Sequence, residues 1–409
     1  MPQDERRMKE KATPEQAKPS YRTSLKRHIC VTFLAVGIMG FFAAVTVLAQ
    51  PLDPIRRAIS DFSFTDIYYE IQNTTSAPDT SRIITIVDLT KLTRRADIAQ
   101  TIRDIEAGHP KVVGMDACFD NEGEDIDGNA ELLDAVSSYD NIVFARKMLD
   151  WSGNDSIGWT KDIRSFFTEG VEVKEGTVNM PRGLYDSMKR RVPLCEMMQG
   201  KQYPSLVAQV ANMYAGEDII KDRTEDLNIN FSPTRFRVLQ PEDVAKHPEM
   251  VEDQIVMFGA MYEDADMHWT PLGKIAGVEL LAYGVQSVVL SKEIKLVEFF
   301  PTCLISLLVI FIVQVVQTVY LRKTDGSKNM FVKYVVGSTY VMNILTFLCT
   351  SIFIGISFLV FKKCNVSFNL AWALSVIAFL GTSRSMYTSI KDYIVSVQDK
   401  YKFLRGIKL

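Results

Sequence analysis

The placement of the apolar runs constrains this chain more than any motif: one run covers Ile29–Ala49, three more crowd into Phe299–Thr382, and mostly polar sequence lies between them. A hydrocarbon core about 30 Å thick takes roughly 20 apolar residues in helical form. Residues 29–49, 299–321, 334–360 and 366–382 each come near that length. Four transmembrane helices are therefore expected, one N-terminal and three C-terminal.

Lys and Arg in short flanking segments set orientation. Arg22, Lys26 and Arg27 precede the first run, and Arg322, Lys323, Lys328 and Lys333 fill the loop after the second. Arg384, Lys391, Lys400, Lys402, Arg405 and Lys408 follow the last. Both termini are expected in the cytoplasm, with residues 50–298 outside; Lys362 and Lys363, placed outside, run against the pattern. Val47-Leu48-Ala49 also suits a signal-peptidase site, but the polar leader and the length of the apolar stretch favour an uncleaved anchor. Residues 1–28 are charged, contain Pro and Gln, and are expected to be disordered. Residues 383–409 repeat Ile390, Tyr393, Ile394, Val397, Tyr401 and Leu404 at helical spacing, an amphipathic tail suited to the inner leaflet, to continuing the last span, or to a partner.

The outer segment 50–298 carries 26 Lys and Arg against 42 Asp and Glu, a net of −16. An acidic surface of this kind disfavours nucleic acid as a partner. Cys118 and Cys195 are its only cysteines, and an oxidising compartment permits a disulfide between them, although the sequence does not fix their geometry. The four histidines, His28, His109, His247 and His268, show no metal-site spacing. No Ser, Cys or His grouping presents nucleophilic machinery, and no phosphate-binding glycine loop follows a strand. Neither a cofactor nor an enzyme is expected.

Within that segment, short β-branched runs alternate with helical patterns. Ile83–Val87 ends at Asp88; Ile98, Ile102 and Ile105 recur at helical spacing until Gly108-His109-Pro110; Lys111–Met115 ends at Asp116. A helix through Leu132, Leu133 and Val136 precedes a strand at Asn141–Ala145. Strand, helix, strand, helix, strand implies right-handed crossovers and a largely parallel sheet in one α/β domain. Gly176–Met180, Val192–Leu194 and Ile229–Val238 read as antiparallel elaboration around a helix at Ser205–Tyr214. Gln254–Gly259 reads as another buried strand, with a last helix from Gly277.

These residues resemble a known family. The strand ending Val87-Asp88, the segment His109–Asp116, Lys189–Leu194, Asn230 after a strand, and above all Phe258-Gly259-Ala260, Asp266 before Thr270-Pro271, and Ala276-Gly277-Val278-Glu279 look like the second class of CHASE domain. That family is an extracytoplasmic sensory module of bacterial receptors, similarly followed by three closely spaced membrane helices. The resemblance implies a receptor-like protein of the bacterial inner membrane, with a periplasmic domain that takes a small ligand and with dimers as the common arrangement. The chain departs from the family at Leu281 and Tyr283, where polar residues are usual, and residues 383–409 hold no output module. A separate cytoplasmic or envelope protein is therefore the expected partner. The alternative is a non-signalling docking subunit of an envelope complex.

Asp88, Asp116 and Asp266 each follow an inferred strand, and ligands of open α/β sheets bind beyond the carboxyl ends of strands. Three carboxylates there suit a cation, a metal or an amine; they equally suit caps and turn ties, the commoner role of short acidic side chains. Arg190 could bind an anion or pair with these carboxylates, and Glu279 joins the candidate set through the resemblance. The loop around Asp120, Glu122 and Glu124, with Glu131 at the twelfth place, offers oxygens to calcium, but its sixth place is Asp125 where the tight turn needs Gly. A solvated loop is the simpler reading. In the membrane segments, Gln314, Gln317, Asn343 and Asn369 prefer a helix interface to lipid.

Overall fold

The computed structural model describes residues 21–48, 63–75, 77–122, 124–181, 188–221, 223–231, 234–368 and 371–400. Most of the predicted disordered leader, together with Asn369, Tyr401 and Leu404, lies outside them. The described helices are α1 (Tyr21–Leu48), α2 (Phe64–Thr75), α3 (Arg95–Ala107), α4 (Ile126–Ser137), α5 (Leu206–Ala215), α6 (Pro241–Lys246), α7 (Gly277–Val289), α8 (Phe299–Asp325), α9 (Thr339–Cys364) and α10 (Ala371–Lys400). The strands are β1 (Asp79–Asp88), β2 (Val112–Asp116), β3 (Ile142–Trp151), β4 (Trp159–Ile163), β5 (Lys174–Thr177), β6 (Arg191–Val192), β7 (Cys195–Met198) and β8 (Lys201–Pro204). They continue with β9 (Leu227–Asn228), β10 (Thr234–Leu239), β11 (Ile255–Gly259), β12 (Met267–Thr270), β13 (Gly273–Ala276), β14 (Lys295–Leu296) and β15 (Val366–Ser367). The chain divides into two compact units, one of residues 1–53, 298–354 and 370–409, the other of residues 54–297 and 355–369.

The second unit is the α/β domain. Among the described residues its sheet runs β10-β1-β11-β2-β3-β4-β7-β8, with β5 also paired to β3. The strands from β10 to β3 are mutually parallel, and β3–β4 and β7–β8 are antiparallel. Side chains alternate across a strand, so β1 sends Ile84 and Ile86 to one face and Val87 to the other. Over the first face lie α5 and α7, which contribute Val207, Val210, Leu280 and Val285. Ile98, Ile102 and Ile105 of α3, with Leu132 and Val136 of α4, cover the second. Local signals agree with these elements: Ser205 caps α5 by accepting from the Ala208 amide, and Gly216 ends it in the left-handed region at φ 74°.

Two strand expectations require correction. Ile229–Val238 is not antiparallel elaboration; its second half is β10, which pairs parallel with β1 at the edge of the sheet. An edge strand needs only one apolar face, so Thr234–Leu239 alternates Phe236 with exposed Arg235 and Arg237 and imitates a hairpin strand. Likewise β5 joins β3 in parallel, whereas β6 and β9 do pair antiparallel.

Among the described residues, Leu25–Val45, Phe299–Asp325 and Thr339–Cys364 are long and apolar enough to cross a membrane; the first two lie in the first unit, and the third begins there. The fourth predicted span, 366–382, begins instead as β15 and continues into the first half of α10, whose second half is polar; it is not among those three. Val31 and Ala35 of α1, Val309 and Val313 of α8, and Val376 and Leu380 of α10 form one core. Gln314 is fully enclosed there, accepting from His28 Nδ1 at 3.1 Å and donating to Thr32 Oγ1 at 2.6 Å.

The end of α9 belongs to the α/β unit. Phe361 is 5% exposed, with its ring 5.0 Å from Tyr68 and 5.8 Å from Tyr69. Past it, β15 pairs with β14, and Asn230 Nδ2 donates to Asn365 Oδ1 at 3.1 Å. The segment holding the anomalous Lys362 and Lys363 is therefore built into the same unit as residues 54–297.

Candidate functional site

Three adjacent parallel strands, β1, β11 and β2, end in register at Asp88, Gly259 and Asp116. Parallel ladders bring the carboxyl ends to one edge, which is why residues so distant in sequence meet there. Around that edge the strand-end carboxylates take different roles.

Asp88 is consumed by structure. It is 1% exposed; Oδ1 accepts from the Thr90 backbone amide at 2.9 Å, the Thr90 hydroxyl at 2.5 Å and the Met261 backbone amide at 3.2 Å, and Oδ2 accepts from Gln240 Nε2 at 3.2 Å. Burial opposes its charge, but these hydrogen bonds together hold its carboxyl below the ordinary value. The side chain ties the loops after β1 and β11 together.

Asp116 is the opposite case. Among the described residues its half-buried carboxyl receives no hydrogen bond. Burial, and then the neighbouring charge of Asp266, push it up to about 7, against weaker pulls from His268 and Lys147. Asp266 reaches this place from the 3-10 turn Asp264–Asp266, and His268 Nε2 lies 3.5 Å from its Oδ1.

Two glycines of the family-like block make room for the arrangement. A Cβ on Gly259 would stand 2.8 Å from Val278 and 3.1 Å from the Asp116 Cβ, and one on Gly277 would stand 2.3 Å from Asp266 Oδ2. Asp266 thereby sits against the first turn of α7, where the helix dipole favours negative charge.

The other candidates fall elsewhere. Arg190 forms a two-pronged pair with Asp66, at 2.9 Å from Nε and 2.6 Å from Nη2, rather than with the strand-end carboxylates. Glu279, in the first turn of α7, has no hydrogen bond among the described residues, and burial alone raises its carboxyl above the usual range. In the acidic loop Asp125 caps α4 by accepting from the Gly128 amide at 3.0 Å; Asp120, Glu122 and Glu124 are exposed, and Glu131 is exposed on the helix. Among the described residues no three His, Cys, Asp or Glu side chains converge on a metal position. Cys118 and Cys195 are separate thiols. Cys118 donates to the Ala145 carbonyl at 3.1 Å, and burial followed by the charge of Asp116 pushes it up to about 11, so it stays protonated at neutral pH.

Sequence reasoning missed Lys147 and the role of His268. Lys147 lies beyond the predicted end of the third strand, because β3 runs on to Trp151. His268 alternates on β12 two residues after Asp266, a period-two signal that could have flagged it.

The site thus offers two carboxylates, neither of them hydrogen-bonded among the described residues, beside an imidazole paired with Asp266, in a segment that also exposes Tyr262 and Trp269. Carboxylates and exposed aromatic faces both attract cations. No curated protein and no solved structure matches the chain. A family model described as CHASE2 domain matches residues 36–316, more than half of the sequence, and so the chain belongs to this family of extracytoplasmic sensory domains.

Proposed function

We propose that the protein is a membrane-anchored receptor whose α/β domain binds a small cationic ligand, an amine, at Asp116 and Asp266 and relays its presence to a separately encoded cytoplasmic protein. The observation that carries the reading is the pairing of Asp116, at the end of β2, with the neighbouring charge of Asp266, which His268 and Lys147 offset only in part. Such a pair is unfavourable when empty and relieved by a cation. Asp266 precedes the β12–β13 hairpin, which runs directly into α7, β14 and the apolar helix α8. A ligand that draws Asp266 toward Asp116 therefore acts on the chain entering the membrane, and it shifts an equilibrium only as far as it binds two arrangements unequally.

Four spans, both termini in the cytoplasm and the α/β domain in the periplasm of a bacterial inner-membrane protein form part of the proposal. Support comes from the packing of Val376 and Leu380 of α10 with α1 and α8, and from the place of residues 355–369 in the α/β unit, which puts both ends of α9 in different units. The expected output partner is a kinase or cyclase without its own receptor domain.

Thermal unfolding of the full chain at pH 8 with putrescine, and separately with magnesium and calcium chloride, tests the ligand class. Saturating putrescine should stabilise the protein by about 2–3 kcal/mol, and Asp116→Asn with Asp266→Asn should abolish the shift while leaving the fold intact. An equal shift in the double variant would place the ligand elsewhere. Absence of any shift, with copurification in a fixed-ratio envelope complex, would replace the receptor by a docking subunit.

A further inference from the structure

The membrane unit contains a cavity of about 780 Å³ bordered by α1, α8, α9 and α10. Its lining changes character along the helices. From Thr339 and Asn343 on α9, and from Arg384, Ser385 and Thr388 on α10, it is polar, and Arg27 of α1 joins this end. Further along, Ile354, Leu374, Ile377 and Ala378 make it apolar. Gln317 fixes the level of the transition, accepting from Arg384 Nη2 and donating to Thr346 Oγ1 at 2.6 Å.

The charge at the polar end is one-sided. Arg27 and Arg384 both line the cavity, no Asp or Glu does, and among the described residues neither arginine has a carboxylate partner. A long basic side chain on a membrane helix ordinarily extends toward water; Arg384, in the middle of α10, instead turns into the bundle toward the buried Gln317. A guanidinium pair above an apolar shaft matches a phosphate group attached to an acyl chain.

We propose that this cavity is a binding site for an anionic phospholipid, its phosphate held between Arg27 and Arg384 and an acyl chain laid along Ile354, Leu374 and Ile377. The site is independent of the carboxylate pair in the α/β domain, so a failure of either proposal leaves the other standing. The bound lipid would link α9 to the helices of the bundle core and make the packing of the membrane unit sensitive to the leaflet on the basic side.

The test uses the full chain in neutral detergent, with thermal stability followed during titration with phosphatidylglycerol, phosphatidylcholine or inorganic phosphate. Phosphatidylglycerol should act at a concentration about tenfold or more below that of phosphatidylcholine, and inorganic phosphate should give little protection. Arg27→Gln with Arg384→Gln should remove the preference, whereas Arg384→Lys should retain most of it. Mass spectrometry of lipid carried by the purified parent chain should show anionic lipid enriched over the membrane average, a readout that survives if the double variant fails to fold. Equal protection by the two lipids, no enrichment, or full protection by inorganic phosphate alone would each overturn the proposal.

Discussion

Phe361→Ala is expected to destabilise the α/β domain by about 3–5 kcal/mol, the cost of emptying a large aromatic site in a close-packed core. The residue lies far from most of that domain in sequence, in the last turn of the apolar helix α9, and by sequence alone it would face lipid or solvent. In the fold it completes a chain of rings: Phe361 on Tyr69, Tyr69 on Phe231 at 5.9 Å, and Phe231 on Tyr283 at 5.4 Å. Tyr69 also uses its hydroxyl, donating to Asn230 Oδ1 at 3.4 Å and accepting from the Phe231 amide at 3.1 Å. Burial drives its phenol far above the ordinary range, so it remains neutral. Truncation of Phe361 therefore loses its own packing and exposes a hydrogen-bonded tyrosine. The check is thermal unfolding of the solubilised chain followed by tryptophan emission, for which Trp151, Trp159 and Trp269 report on the domain. A cost below about 1 kcal/mol, the level of ordinary surface changes, would detach residues 355–369 from its core.

Asp116→Asn is expected to raise stability at pH 8 by about 1–3 kcal/mol, an unusual direction for a substitution. The sign follows from linkage. Burial, reinforced by Asp266, places the folded carboxyl at about 7 against an ordinary 3.8. Between those values the native state holds more protons than the unfolded chain, so stability falls as pH rises through this window and the full penalty is present above it. Parent and variant should converge near pH 4 and separate toward pH 8. Glu106, which burial raises to about 7, and Glu279 contribute in the same direction, so the variant flattens the profile without abolishing it. Urea unfolding of the ligand-free chain across pH 4–8 measures the difference. A variant less stable than its parent at pH 8 would mean that Asp116 has a partner. A group that costs stability when empty is what a ligand site supplies and a structural tie does not, and Asp88 provides the contrast within the same row of residues.

How much of this was legible in the sequence depended on range. Ile83–Val87 and Gln254–Gly259 announced buried parallel strands because both of their faces are covered, leaving almost uninterrupted apolar runs. The α3 and α5 helices were legible through their periodicity and stops. The edge strand β10 was not, because Arg235 and Arg237 give it the alternation of a half-exposed hairpin. Partners distant in the chain were invisible: nothing local couples Arg190 to Asp66, 124 residues away, or draws Phe361 out of an apolar run into a soluble core. The strand-end rule anticipated that Asp88 and Asp116 share one edge of the sheet, yet it could not separate their roles. That distinction lies in Thr90, Gln240 and Met261, which converge on Asp88, whereas Asp116 receives no hydrogen bond among the described residues. The glycines of the Phe258-Gly259-Ala260 and Ala276-Gly277-Val278-Glu279 blocks were readable as a resemblance; their physical reason, the close approach of Val278 and Asp266, needed the fold.

The central claim, that the acidic α/β domain faces away from the cytoplasm while the basic ends face into it, is tested most directly by cysteine labelling in intact cells. Glu122→Cys places a thiol on an exposed loop of the domain, and Lys328→Cys places one in the basic loop after α8. A membrane-impermeant maleimide should label the first and not the second before permeabilisation, with the parent chain as the background for its native cysteines. Labelling of Lys328→Cys in intact cells, with Glu122→Cys reached only after permeabilisation, would contradict the account.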